Sequence, residues 1–267
     1  MLNTLAILTE LAARLSQAAC TTRDVGERLC LLRDLVPGRL CLTNGFGIEG
    51  QLLTAHAAEL GDAIAVMTLD TGRLFPESRD LWRRTEQSLG VSITAFAPAP
   101  GAVAALVERD GADGFYDTVA KRRACCDTRK VEPLSRALDG AAAWITGLRT
   151  EQSPGRKGVS FAVVDAARGL LKINPLYDWT RAEVLAELAA RDIPVSALEA
   201  RGYRSVGCEP CTRAVRPDEP ERAGRWWWED EGSAKECGLH APAHASASDI
   251  TFRNPASVAS GSPAVPA

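Results

Sequence analysis

The chain has 267 residues, 46% of them hydrophobic, a formal net charge of −3 and eight cysteines. That length permits one large domain or two small ones around a buried core. The slight acidity provides no global field toward nucleic acid or anionic membrane, so neither is an expected partner and any anion site must be local. The longest apolar runs fall far short of the ~18 residues that span a bilayer. The first residues, MLNTLAILTELAARLSQ, lack a basic n-region and carry Glu10 within the apolar pattern, unlike a signal peptide. Eight cysteines in a chain this long, two of them adjacent, do not form the pattern of a secreted disulfide scaffold. Cytoplasm is the expected compartment.

Residues 2–17 place Leu5, Leu8, Leu11 and Leu15 at helical spacing, and a second helix is predicted over Arg23–Leu35 before Pro37. Both read as packing helices, with Cys20 and Cys30 as structural residues. From Arg39 the pattern changes to short apolar runs, RLCLT, AIAVMT, VSITAF, AAWITG, FAVVD and LLKIN, with helices such as Glu49–Leu60, Glu77–Leu89 and Arg181–Arg191 between several of them. That alternation predicts an α/β fold, a parallel sheet with helices on both faces. Cys41, inside the first strand, reads as a small buried residue.

Ligands of such sheets bind beyond the carboxyl ends of the strands, where three polar loops are expected. The first is Thr43-Asn44-Gly45-Phe46-Gly47-Ile48-Glu49, a glycine-bearing turn that opens a helix and offers free N–H groups to a phosphate. The second, Leu69-Asp70-Thr71-Gly72-Arg73, suggests Arg73 as a nucleotide or substrate contact. The third runs from Thr146-Gly147-Leu148-Arg149 into EQSPGRKG.

The cysteines concentrate the chemistry. Cys208 and Cys211 form a C-x-x-C pair, and Cys125 and Cys126 are adjacent in RRACCDTRK. Two such pairs supply four thiolates, enough for one four-iron cluster and equally suited to zinc. Adjacent cysteines diverge on regular secondary structure, so both reach one centre only where the backbone bends or the pair sits in a helical turn. A helix is expected to begin near Asp127, with Pro133 tolerated if it is kinked or begins later. Lys130, Arg129 and Arg122 can offset the thiolate charge. Arg222 and Arg225, with Arg213 and Arg216 nearby, supply forked donors for oxyanions. The run Trp226–Trp228 cannot point into one core, so at least one ring is expected to form a lid or stacking surface. Cys237 is left over, with the cationic candidates Lys235 and His240 close in sequence and Glu236 working against them, and reads as the reactive thiol.

The pair CC, then GCEPCTR, ERAGRWWWE and KECGLH, in that order, resembles the iron–sulfur adenylylsulfate (APS) reductases of the APS/PAPS reductase family, over about Leu40 to His240. The resemblance implies a Rossmann-like fold of the adenine nucleotide alpha hydrolase type and a [4Fe-4S] cluster held by Cys125, Cys126, Cys208 and Cys211. It implies substrate contacts from Gly45, Glu49, Arg73, Lys130, Arg149, Arg222, Arg225, Trp226 and His240, with Arg156 as a further candidate. It also implies Cys237 as the nucleophile that takes the sulfonate from adenylylsulfate, releasing AMP. No second cysteine follows Cys237, so an external dithiol, thioredoxin or glutaredoxin, is needed to free sulfite. The loop at Thr43–Glu49 departs in letters from the family's Ser-Gly-Ala-Glu-Asp-like version but keeps Gly and Glu. Four segments are expected: helices at 1–38, a nucleotide-binding domain at 39–205, a cluster and catalytic segment at 206–240, and a disordered Ala/Ser/Pro-rich tail at 241–267. A homo-oligomer is compatible with the chain.

Three rivals stand beside this reading. A PAPS or dual-substrate reductase would do the same chemistry on a 3′-phosphorylated nucleotide, although members restricted to PAPS generally lack the four cysteines. An ATP-dependent adenylating enzyme would need a Ser-Gly-Gly-x-Asp-Ser loop, absent at Thr43–Gly50. A nucleotide-binding module with structural zinc and no turnover is the non-enzymatic alternative.

Overall fold

The computed structural model describes residues 2–229 and 238–240. Cys237 and the tail at 241–267 lie outside the described residues. The chain opens with α1 (Leu2–Ala19) and α2 (Val25–Leu35). The second helix begins two residues later than its apolar pattern suggests, because Asp24 is its N-cap and accepts from the Glu27 N–H at 2.8 Å. Leu15 is fully buried, whereas Leu5 is 43% exposed, so only the later part of the α1 stripe is buried against the body.

The sheet is built from β1 (Arg39–Thr43), β2 (Ile64–Leu69), β3 (Thr94–Phe96), β4 (Ala141–Ile145), β5 (Ala162–Asp165) and β6 (Leu170–Ile173). Among the described residues its order is β3-β2-β1-β4-β6-β5. Every neighbouring pair is parallel except β5 with β6, which run antiparallel. The expectation of a wholly parallel sheet is corrected at this edge: β5 and β6 are joined by the tight Ala166–Gly169 turn, too short for the crossover that parallel pairing requires.

The crossovers are α3 (Ile48–Glu59), α4 (Pro76–Leu89), α5 (Pro100–Asp110), α6 (Val119–Cys126) and α7 (Glu132–Ala137), followed later by α8 (Arg181–Ala190) and α9 (Ala197–Ala200). The largest core cluster joins α1, α2, α3 and α8 to one face of the sheet through residues such as Leu29, Leu42, Leu52, Ile145 and Val184. A second cluster, with Cys41, Met67, Leu134, Leu138 and Trp144, fills the opposite face under α7. The central strands therefore bury both faces, which is why they read as continuous apolar runs.

The chain reverses its winding at β1, whose neighbours are β2 on one side and β4 on the other. The crevice beyond the carboxyl ends of β1 and β4 is the switch point where α/β sheets bind ligands.

Candidate functional site

A cleft of about 250 Å³ opens at that switch point. Its floor is the loop after β1, and its walls are the residues after β2 and β4 together with the segment from Arg204 to Cys208. The β1 loop is held by a buried network. Asn44 donates to Gln51 and to Thr54, both at 2.9 Å, and its side-chain oxygen accepts from the Phe46 N–H at 2.7 Å. Gly50 must be glycine, since an added Cβ would lie 2.4 Å from the Asn44 side-chain oxygen. Phe46 sits at φ 60, a backbone strain stored at the cleft. Gly47 caps α3 without a side-chain hydrogen bond, so the first-turn N–H groups of that helix are available to an anion.

The four cysteines come together beside this cleft. Cys125, Cys126, Cys208 and Cys211 line one small pocket with Arg73, Arg122, Arg129 and Lys130. The adjacent pair reaches it through a change of helix type. α6 is capped by Thr118, which accepts from the Lys121 N–H, and runs to Cys126; residues Asp127–Val131 then form a π-helical turn before α7. The helix thus begins well before Asp127, and Pro133 falls in the first turn of α7, directly after the π-helical turn. The C-x-x-C loop is stapled from both sides. Cys208 bridges Leu74, Glu209 donates to the Arg73 carbonyl at 2.8 Å, and Trp226 donates to the Cys211 carbonyl at 3.1 Å.

The thiols differ in acidity. Burial pushes Cys208 up, but Lys130, the Thr71 hydroxyl 3.3 Å away and Arg225 outweigh it, and its pKa is lowered. Cys211 is pushed up to about 12 by burial and by its neighbour Cys208. Burial also raises Cys125. Among the described residues no three His, Cys, Asp or Glu side chains converge on a point as ligands of a single ion would. The donor set is four thiols around one pocket, surrounded by cations.

Lys130 and Cys208 line both the cysteine pocket and the cleft. Trp226, fully buried at φ 44, carries the guanidinium carbons of Arg122 and Arg225 each 4.7 Å from its ring centroid and the Lys130 ammonium at 6.0 Å. His240 stacks on Trp144 at 5.2 Å with 13° between the rings. Burial, then the charges of Lys172, Arg156, Arg222 and Arg168, hold its pKa well below the usual 6.5, so the ring is neutral. The Arg225 Nε, Trp226 Nε1 and His240 Nδ1 atoms are buried without a hydrogen-bond partner among the described residues. Buried atoms left without a partner call for an explanation, and a bound ligand supplies one.

The family model for the phosphoadenosine phosphosulfate reductase domain matches residues 39–214. An adenosine 5'-phosphosulfate reductase of Rhizobium meliloti (strain 1021) is 50% identical over 223 residues, covering 84% of this chain and 83% of the relative. One from Burkholderia cepacia is 44% identical over 235 residues, covering 88% and 90%. The chain belongs to the phosphoadenosine phosphosulfate reductase family. Its fold is similar to the crystal structure of phosphoadenylyl-sulfate (PAPS) reductase from Candida auris, phosphate complex, at TM-score 0.65 and 23% identity, over 76% of this chain and 96% of that one.

Within this family member, Gly45, Glu49, Lys130, Arg222, Arg225, Trp226 and His240 all line the cleft. Two expected contacts do not. Arg73 turns away: it pairs with Asp113 at 3.2 Å, lies 4.9 Å from the Phe115 ring and lines the cysteine pocket. Arg149 is fully buried behind the wall, where it is saturated by Glu49, Glu151 and Glu221 at 2.8–3.0 Å. It orients Glu49 and Glu221, both of which face the cleft. Burial and the nearby Glu49 raise the pKa of Glu221 despite that arginine.

Arg156, by contrast, does line the cleft and hydrogen-bonds Gln152. Sequence reasoning placed Asn44 and Thr71 in ligand-end loops without singling them out, and it missed Trp144 as part of the cleft. Trp144 had a legible signal, since it stands one residue from the end of a central strand; its indole donates to Thr43 at 2.9 Å. Of the three tryptophans, Trp227 is 48% exposed while Trp226 is buried, so it is the buried ring that faces the cleft. The reactive-cysteine expectation for Cys237 falls outside the described residues. No helix of the described residues is long and apolar enough to cross a membrane.

Proposed function

We propose that this chain reduces adenylylsulfate to sulfite and AMP in assimilatory sulfate reduction, in the cytoplasm, with Cys237 as nucleophile, a [4Fe-4S] cluster as cofactor and thioredoxin or glutaredoxin as reductant. The observation that carries the reading is that Lys130 and Cys208 face two chambers at once, one lined by four thiols and one lined by anion-binding groups. A relative named adenosine 5'-phosphosulfate reductase, 50% identical over 223 residues, supports it. Four thiolates suit zinc as well as a cluster, and metal analysis of the purified protein distinguishes the two.

Cys125, Cys126, Cys208 and Cys211 would hold the cluster. When bound, it supplies a compact centre that pins the C-x-x-C loop to α6 and sets the local charge. Arg122, Arg129 and Lys130 surround the thiols and offset their charge. In the cleft, the α3 N-terminus and Gly45 receive phosphate, and Arg222, Arg225, Lys130 and Arg156 clamp the phosphosulfate by charge-assisted hydrogen bonds. Stabilising the leaving AMP phosphate is their largest contribution to the rate.

The Cys237 thiolate attacks the sulfate sulfur. The S–O bond to AMP breaks, AMP takes the electron pair, and the cysteine becomes S-sulfocysteine. A dithiol protein then attacks the Cys237 sulfur and sulfite leaves with the electron pair of the S–S bond. The second thiol of that protein resolves the mixed disulfide and frees Cys237. Anaerobic assay of sulfite release from adenylylsulfate and from its 3′-phosphorylated form, with thioredoxin supplied, tests the reading. Sulfite from adenylylsulfate is the expected result. Turnover of the 3′-phosphorylated nucleotide alone would overturn the substrate assignment, and no turnover of either, with AMP still bound, would overturn the activity.

A further inference from the structure

Gly207 stands immediately before Cys208 and is not among the residues with positive φ, so its backbone does not require glycine. Its lack of a side chain has another cause. A Cβ added there would lie 2.2 Å from Arg225 Nη2, 2.5 Å from Cζ and 2.8 Å from Nη1, and these are the nearest atoms it meets. The obstacle is therefore the guanidinium of one residue and nothing else within that range. Arg225 is 6% exposed, its Nη1 donates to the Val206 carbonyl at 3.1 Å, and its Nε has no partner among the described residues.

We propose that Gly207 is a positioning residue: the space left by its missing side chain seats the Arg225 guanidinium against the cysteine loop and directs its free donor to the anion of the substrate. The inference rests on the reading of the cleft as a sulfonucleotide site. A methyl group at position 207 leaves the backbone at ease, and the end of an arginine side chain moves at little cost to the fold. It cannot move by more than an ångström, however, and keep both the Val206 bond at 3.1 Å and the approach to Trp226 at 4.7 Å. The arginine is therefore the group that a methyl at 207 is expected to displace. The glycine thereby makes anion binding depend on the geometry of the loop that carries Cys208.

A double-mutant cycle on the full chain tests this, with AMP and adenylylsulfate affinity, iron content, visible absorbance and the split between KM and kcat as readouts. Gly207→Ala is expected to weaken both nucleotides roughly ten- to hundredfold, the scale of a lost charge-assisted hydrogen bond, with iron retained and KM raised more than kcat falls. In the Arg225→Ala background the same substitution is expected to add less than about twofold, because the group it displaces is gone. Wild-type affinity in Gly207→Ala, or additive losses in the pair, overturns the proposal. Should Gly207→Ala lose iron or fail to fold, recovery in the Gly207→Ala/Arg225→Ala pair supports the seat, and persistence of the defect overturns it. If the wild-type chain binds neither nucleotide, the functional reading fails instead, and the cycle is read with inorganic phosphate as the anion.

Discussion

Arg122 and Glu229 form a bidentate ion pair at 2.7 and 2.9 Å, with side chains 1% and 3% exposed. The pair ties α6, which carries Cys125 and Cys126, to the end of the tryptophan run, where Arg122 and Arg225 each lie 4.7 Å from the Trp226 ring centroid. A charge pair buried this deeply contributes little net stability over an apolar substitute, but removal of one partner strands the other. Arg122→Ala is expected to lower unfolding stability by about 3–5 kcal/mol, read by urea denaturation of the apoprotein. Unchanged stability would mean that Glu229 finds another partner.

Cys208→Ser and Cys211→Ser are each expected to lose most bound iron and the visible absorbance of the cluster, since one missing thiolate leaves an iron site open. Full iron content in either variant removes that cysteine from the ligand set. Zinc in place of iron in the wild-type chain would move the whole assignment to the non-enzymatic reading.

The arginines separate by where they point. Arg222→Ala is expected to weaken adenylylsulfate and AMP by about 1.5–3 kcal/mol, the range for hydrogen bonds to charged groups. Arg73→Ala is expected to leave AMP affinity within about twofold, the scale for a residue outside the contact shell, while reducing iron retention. Calorimetric titration with AMP distinguishes the two, and an Arg73→Ala loss equal to that of Arg222→Ala would return Arg73 to the substrate site.

His240 gives a pH signature. Burial and the surrounding cations keep it neutral in the folded chain, whereas in the unfolded chain it takes a proton near its ordinary value of 6.5. Below that pH the unfolded state binds more protons, so folding stability falls as pH drops from about 6.5 toward the folded-state value. His240→Gln is expected to flatten this part of the stability profile, measured as Tm between about pH 7 and 5. An unchanged slope would place the proton uptake elsewhere.

Cys237→Ser is expected to keep iron and bind AMP yet release no sulfite, because an alcohol is a far poorer nucleophile toward sulfur. With adenylylsulfate and no reductant, the wild-type chain is expected to release one equivalent of AMP and gain about 80 Da, the mass of one sulfonate, on the peptide that contains Cys237. An adduct on Cys20, Cys30 or Cys41 would sink the mechanism and leave the cysteine pocket standing.

The alternation of apolar runs and helices, the spacing of the two cysteine pairs and the glycine turn after the first strand pointed to the fold class, to the four cysteines that share one pocket and to the end of the sheet where the cleft opens. Those features are local, because period, spacing and turn chemistry are properties of a few consecutive residues. Tertiary structure decided which cation lines the cleft. Arg73 and Arg225 are equal as letters, but Asp113, forty residues from Arg73, draws one away, and Gly207 with Trp226 seats the other in the cleft. Arg149 is held behind the cleft wall by Glu49 and Glu221, 100 and 72 residues distant. The π-helical turn that brings Cys125 and Cys126 to one pocket depends likewise on what α6 and α7 pack against. A side chain's direction is set by partners that only folding brings near, and a linear sequence does not encode those neighbours by position.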